Sequence, residues 1–262
     1  MTGGLTCNLP VGIKLLLKRV LHGCPRLFGE LRFWYWLNIH RRGSPHEEEL
    51  SFLPELVAPG TTAVDVGAHC GRYTLPLSKL VGTEGCVIAF EPVASNFMVL
   101  RRLKDHCRLA NVVLYDMALG ERPGRTFIRT PVTDRGEYFF SRSVVGTPLD
   151  GNSRYHSQEV RIETLDRILA DGADREIGYV KCDVEGYELP VLRGGENLLR
   201  RYRPVVQCEI IEAHERPYGY GPGDLVAFME GLGYGLHACE GESIAACGLS
   251  PRHYNYLFIP RG

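Results

Sequence analysis

An α/β fold, with helices on both faces of a mainly parallel sheet, is what the sequence predicts, and three observations predict it. Five short apolar runs recur along the chain: TTAVDVG (61 to 67), CVIAFEP (86 to 92), NVVLYDMAL (111 to 119), IGYVKCDVEG (177 to 186) and PVVQCEII (204 to 211). Each is apolar over four or five residues without alternation, as a strand buried on both faces reads. Helix-like stretches separate most of them, which implies right-handed crossovers and a doubly wound, Rossmann-like sheet.

The first run ends in a glycine turn, VDVGAHCGRYT (64 to 74), that leads into a helix. Pro76 lies in that helix, so the helix either kinks or begins later than the turn suggests. ASNFMVLRRLKDHCRL (94 to 109) places Phe97, Leu100, Leu103 and Cys107 at helical spacing with charges opposite, and GDLVAFMEGLG (223 to 233) behaves in the same way. Residues 120 to 176 break the rhythm with short aromatic and β-branched pieces between Gly, Pro, Asn and Ser. They read as a β-rich insertion before the fourth core strand, on the substrate side of the sheet. RHYNYLFIP (252 to 260) alternates and suits a closing antiparallel strand.

The chain divides at about residue 45. In the first part, Ile13, Leu16, Leu17, Val20 and Leu21 share one helical face while Lys14, Lys18 and Arg19 lie opposite, and RFWYWL (32 to 37) follows as a dense aromatic cluster. This N-terminal appendage is expected to pack on its own domain, covering the acceptor site, or on a second copy in a homodimer. A peripheral contact with an anionic membrane through residues 13 to 37 is the alternative. Residues 46 to 262 form the main domain.

The 30 basic and 31 acidic residues leave a formal net charge of -1, which gives no field to attract nucleic acid. Apolar content of 44% and charged content of 23% argue against disorder. Apolar runs are too short to span a membrane, and Lys14, Lys18 and Arg19 interrupt any signal peptide, so the expected location is cytoplasmic. The nine cysteines form no CxxC pair and are expected to be reduced core residues.

In a doubly wound sheet, ligands bind outside the carboxyl ends of the strands. Those ends carry Asp65, Gly67, Glu91, Asp116, Asp183, Glu185 and Glu209. The turn has Gly67 and Gly71 in GxxxG spacing behind Asp65, a poor match to the GxGxxG of dinucleotide sites, because the carboxylate would repel a pyrophosphate. Glu91, about twenty residues on, stands where an acid accepts hydrogen bonds from both ribose hydroxyls, and Asp116 would lie beside adenine. An adenosine bearing a cationic amino-acid tail is S-adenosylmethionine.

These residues resemble the FkbM-type methyltransferases. The resemblance rests on DVGAHCGRYT, FEP (90 to 92), MALG (117 to 120), ETLDRIL (163 to 169), VKCDVEGYELPVLRGG (180 to 195) and NYLFIP, in the family's order over roughly residues 50 to 260. It implies an S-adenosylmethionine-dependent transferase, usually an O-methyltransferase acting on hydroxyls of small molecules, sugars or polyketides. By position it implies cofactor contacts from Asp65, Gly67, His69, Gly71 and Glu91. It extends the expected set to Ala68, Tyr73, Thr74, Pro92, Asn96, Met117, Ala118 and Asp183. His69 stands where the family often has Asn.

Transfer to a hydroxyl needs a group to take its proton, and Asp183, Glu185 and His214 are the candidates. Each has a bland alternative: Asp183 and Glu185 as caps of the helix that follows, His214 as a surface loop residue. Oxygen ligands at clear spacing for a metal are not evident, so none is expected. An inactive methyltransferase-like binding domain and an NAD-dependent oxidoreductase remain as other readings. Tyr138, Phe139, Phe140 and Tyr155 could stack on a sugar or fill a core.

Overall fold

Alternate residues of the buried strands divide between two apolar layers, and this division builds the molecule. The computed structural model describes residues 25–42, 49–133, 136–137, 144–146, 154–170, 176–241 and 243–262. The core strands are β1 (Thr62–Val66), β2 (Cys86–Phe90), β3 (Val112–Tyr115), β9 (Ile177–Cys182) and β10 (Val205–Glu209). Three more complete the sheet: β11 (Tyr234–Glu240), β12 (Ser243–Ala246) and β13 (Asn255–Pro260). The strand order is β12-β11-β13-β10-β9-β1-β2-β3. Strands β10, β9, β1, β2 and β3 run parallel, and β13, β11 and β12 pair antiparallel beyond them.

On one face, Ala63, Val87, Val112 and Tyr179 meet α2 (Glu49–Leu56) and α3 (Thr74–Val81). On the other, Val64, Val66, Val180, Cys182, Val206 and Cys208 meet α5 (Leu165–Leu169), α6 (Glu188–Arg193), α7 (Glu196–Tyr202) and α9 (Pro222–Gly231). Helix α1 (Pro25–Arg42) packs Phe33, Trp36 and Leu37 against Val99 and Leu103 of α4 (Ala94–Cys107). Arg102 of α4 pairs with Glu30 of α1 and lies 4.0 Å from the Phe33 ring centroid. The same helix leaves Leu31, Trp34 and Tyr35 exposed.

The insertion forms a second sheet from β4 (Ala118–Leu119), β5 (Gly124–Thr133), β6 (Gly136–Glu137), β7 (Val144–Val145) and β8 (Arg154–Glu163). Its long pair, β5 with β8, is antiparallel, and β4 joins β8 in parallel. Gln158 of β8 ties this sheet to the end of β2: its Oε1 accepts from the Ala94 amide at 3.2 Å, and its Nε2 donates to the Pro92 carbonyl at 3.1 Å.

Two expectations need correction in detail. NVVLYDMAL is not one strand: it breaks at Asp116, and its two halves enter different sheets. The antiparallel part has three strands rather than one, because Gly235 and His237 in YGLHACE mask its strand pattern. Of the two alternatives for Pro76 the later start holds: α3 begins at Thr74, so the proline lies in the first turn, where a backbone N–H has no helical partner to lose. Residues 13 to 21, Tyr138, Phe139 and Phe140 lie outside the described residues. No helix among the described residues is long and apolar enough to cross a membrane.

Candidate active site

Strand order reverses between β1 and β9, so the loops beyond their carboxyl ends diverge and open a crevice. The three strand ends are locked together there. Gly67 and Ala68 donate backbone hydrogen bonds to the Phe90 carbonyl at 3.0 and 2.9 Å. The Asp183 amide donates to the Val66 carbonyl at 3.0 Å. Gly67 has φ +80°, and a Cβ on it would collide with the Asp183 carbonyl oxygen. Only glycine lets the two loops come this close.

A cavity of about 240 Å³ opens at this point. It is lined by Asp65, Gly67, Ala68 and Glu91 at the strand ends, by the apolar Phe90, Met117, Ala118 and Leu119, and by Ile128 and Val145 of the second sheet. His69, Tyr73, Pro92 and Asn96 also line it, as do Lys181, Asp183 and Glu185 on the side of β9.

The polar groups form two connected sets. Asp65 is buried and accepts from the Thr74 hydroxyl at 2.5 Å, and burial pushes its carboxyl up to about 6. It sits in register with Lys181 on β9. The Lys181 ammonium, itself buried, donates to Asp183 Oδ2 at 2.7 Å and lies 4.6 Å from the Tyr73 ring centroid. Asp183 is thereby fixed while its side chain stays a third exposed (34%) at the rim of the cavity.

Glu91 organises the other set. Its Oε2 accepts from the His69 amide at 2.8 Å, and its Oε1 accepts from the Val93 amide at 2.8 Å and Asn96 Nδ2 at 3.3 Å. Burial nevertheless pushes its carboxyl up to about 7. A carboxylate has about four acceptor positions, and protein donors take three. One position, on Oε2, is free of protein donors among the described residues.

Helix α1 contributes a further wall. Trp36, 2% exposed, lines the cavity with its ring centroid 5.2 Å from that of His69, edge to face. Arg32 is buried and donates to Asn96 Oδ1 at 2.5 Å and to Cys70 Sγ at 3.4 Å. His69 adopts φ +50°, in the left-handed region, and burial lowers its imidazole to about 4, so it is neutral near pH 7.

At the mouth, the loop after β9 turns back through Glu185 (φ +61°) and Gly186 (φ +97°). A Cβ on Gly186 would collide with the His214 carbonyl, so this loop packs directly on α8 (Glu212–Glu215). Buried Glu188 holds the loop from below, accepting from the Val184 and Gly186 amides at 2.8 and 3.2 Å. Tyr220 donates its hydroxyl to the Gly186 carbonyl at 2.7 Å. Burial pushes the Glu188 carboxyl up to about 8. His214 Nδ1 lies 3.4 Å from Glu209 Oε2 and 3.7 Å from Glu185 Oε2.

The structure thus gathers most of the sequence-derived candidates in one place. Gly71 and Thr74 stand one step behind the lining; Thr74 acts through Asp65, and Gly71, at φ +83°, closes the turn by donating to the Ala68 carbonyl. Asp116 is exposed and is absent from the lining, because the chain breaks between sheets there and turns it outward. His214 stands beside Glu185 rather than on the cavity wall. Tyr155 lies on β8, away from the cavity lining. Lys181, Trp36, Arg32 and Glu188 were missed. For Lys181 the signal was present as a single charge inside the apolar run IGYVKC, since a lysine buried there needs a partner.

A family model described as the methyltransferase FkbM domain matches residues 65–236. No curated protein sequence matches the chain. Among solved structures, a methyltransferase FkbM from Methylobacillus flagellatus is 16% identical with TM-score 0.47; the match covers 80% of this chain and 50% of that one, so the chain spans half its length. A SAM-dependent methyltransferase from Aquifex aeolicus is 16% identical with TM-score 0.44, covering 84% and 95% of the two chains. A SAM-dependent O-methyltransferase from Thermotoga maritima is 11% identical with TM-score 0.45, covering 88% and 72%. With the family model spanning well over half of its length and the strand-end loops in the order described, the chain belongs to the FkbM methyltransferase family.

Proposed function

We propose that the protein is an S-adenosylmethionine-dependent methyltransferase acting on a hydroxyl of a small molecule, such as a sugar or a polyketide-like acceptor. The observation that carries this reading is the lining of the cavity. Four carboxylates (Asp65, Glu91, Asp183 and Glu185) face two cations (Arg72 and Lys181) beside an apolar wall of Phe90, Met117 and Ala118. This donor set fits a flat apolar base, a ribose hydroxyl and a cationic tail, and it lacks the phosphate cradle that a dinucleotide would require.

When bound, S-adenosylmethionine supplies a methyl group already activated on a sulfonium. The protein's own residues have the remaining tasks. Glu91 offers its open Oε2 position to a ribose hydroxyl, and Asp65 offers negative charge to the amino-acid end. Met117 and Ala118 give the base an apolar slot, with Trp36 and Ile128 excluding water. Asp183, fixed by Lys181 at the rim, is the group placed to take the acceptor's proton, a role worth roughly 10²- to 10⁴-fold in rate.

Titration calorimetry with S-adenosylmethionine and, separately, with NAD tests the reading. Saturable binding of the first alone is expected. Binding of NAD in its place would favour an oxidoreductase, and binding of neither would leave a family member serving as a binding domain.

A further inference from the structure

Three side chains, Glu185, Glu209 and His214, converge at the mouth of the cavity. His214 Nδ1 is buried and makes no hydrogen bond among the described residues. Its distances to Glu209 Oε2 (3.4 Å) and Glu185 Oε2 (3.7 Å) exceed the usual N–H···O range. Ligand atoms of all three residues nevertheless lie within 4.8 Å of one another. Around a cation with ligand bonds of about 2.0 to 2.2 Å, neighbouring tetrahedral ligands stand about 3.3 to 3.6 Å apart. His214 Nδ1 and Glu209 Oε2, at 3.4 Å, stand at that spacing, and Glu185 Oε2, 3.7 Å from the imidazole, reaches it by a small side-chain shift.

The geometry points to a divalent-cation site formed by Glu185, Glu209 and His214, which holds an acceptor carrying two neighbouring oxygen atoms. The ligands come from three segments that the fold itself brings together: the loop after β9, the end of β10, and α8. Gly186 packs against the His214 backbone, and Glu188 and Tyr220 hold the same loop from beneath, so the ligands are positioned before any ion arrives. One imidazole and two carboxylates suit a first-row ion such as Mn²⁺ or Zn²⁺ and leave coordination positions free. Glu185 also lines the cavity, so those free positions lie at its rim, near Asp183.

The site complements the proposed chemistry, and the assignment of the acceptor rests on that reading. Any carboxylate is a weak base towards an aliphatic hydroxyl. A cation that binds the hydroxyl oxygen makes its proton easier to remove, so that a carboxylate such as Asp183 suffices. An ion that expands to five or six ligands on binding the acceptor has room for two adjacent oxygens, such as those of a vicinal diol or of a hydroxyl beside a carbonyl.

Metal binding is tested without turnover. The full chain is titrated with Mn²⁺ alone in a calorimeter, and the wild type is compared with Glu209→Gln and His214→Ala. One equivalent is expected to bind, with affinity falling roughly tenfold or more in each variant. S-adenosylmethionine titration of the same preparations reports separately on the cofactor reading and on whether the variants are folded. In the unmodified protein, Mn²⁺ is expected to broaden the imidazole proton signals of His214 first. Absence of saturable Mn²⁺ and Zn²⁺ binding up to about 1 mM, or binding that leaves the His214 signals unaffected, overturns the site.

Discussion

The Glu91 carboxylate accepts a hydrogen bond from the His69 amide at 2.8 Å, so the end of β2 holds the glycine turn that follows β1. The residue proposed to meet a ribose hydroxyl thus also sets the shape of the loop that lines the cavity. On that proposal, binding and architecture are coupled at one side chain.

Glu91→Gln tests that coupling. The amide side chain keeps its shape but turns one acceptor into a donor, facing either the His69 amide or the Val93 amide and Asn96. We expect S-adenosylmethionine affinity to weaken by about 1.5 to 3 kcal/mol, the range for hydrogen bonds to a charged group. Calorimetry reads it directly, and an unchanged affinity would remove Glu91 from the cofactor site.

His69 accounts for its own position. At φ +50° an asparagine is easily accommodated, whereas a β-branched residue is not. His69→Asn should leave thermal stability within about 1 kcal/mol of wild type. His69→Val should lose about 1 to 2 kcal/mol more, because the left-handed backbone crowds its Cβ.

Gly67→Ala should be far more damaging. The added Cβ meets the Asp183 carbonyl at φ +80°, so β1 and β9 must separate at the point where the crevice opens. A stability loss above about 2 kcal/mol is expected in a denaturant titration. A variant as stable as wild type would show that the two loops are less tightly joined than the structure shows.

Glu188 gives the stability a pH dependence with a definite sign. Its folded carboxyl titrates near 8, above the ordinary value of 4.5, so the folded state favours the proton. The stabilisation is complete below the ordinary value and is lost as pH rises through 8. Asp65, near 6, and Glu91, near 7, act in the same direction. The urea midpoint should therefore fall between about pH 5 and pH 8. Glu188→Gln should flatten that fall, gaining on wild type at the alkaline end.

Trp36 tests the contribution of α1. Its ring is buried between the helix and the cavity, so Trp36→Ala should cost about 3 to 5 kcal/mol as a large-to-small core change. S-adenosylmethionine affinity measured on the folded fraction should fall as well, since the ring walls the cavity. Loss of stability with intact affinity would confine α1 to a structural role.

The sequence by itself determined the doubly wound class, the glycine turn, the β-rich insertion and the carboxylates at Asp65, Glu91 and Asp183. These are local signals: unbroken apolar runs, glycines at fixed spacing, and charges at strand ends, all set by neighbours in the chain. The tertiary structure decided what depends on contacts between distant segments. Lys181 meets Asp65 through strand register, and Arg32 reaches Asn96 across 64 positions. Asp116 turns outward where the chain passes from one sheet to another. Glu185, Glu209 and His214 converge only because parallel pairing sets the ends of β9 and β10 side by side, and no spacing along the chain encodes that convergence.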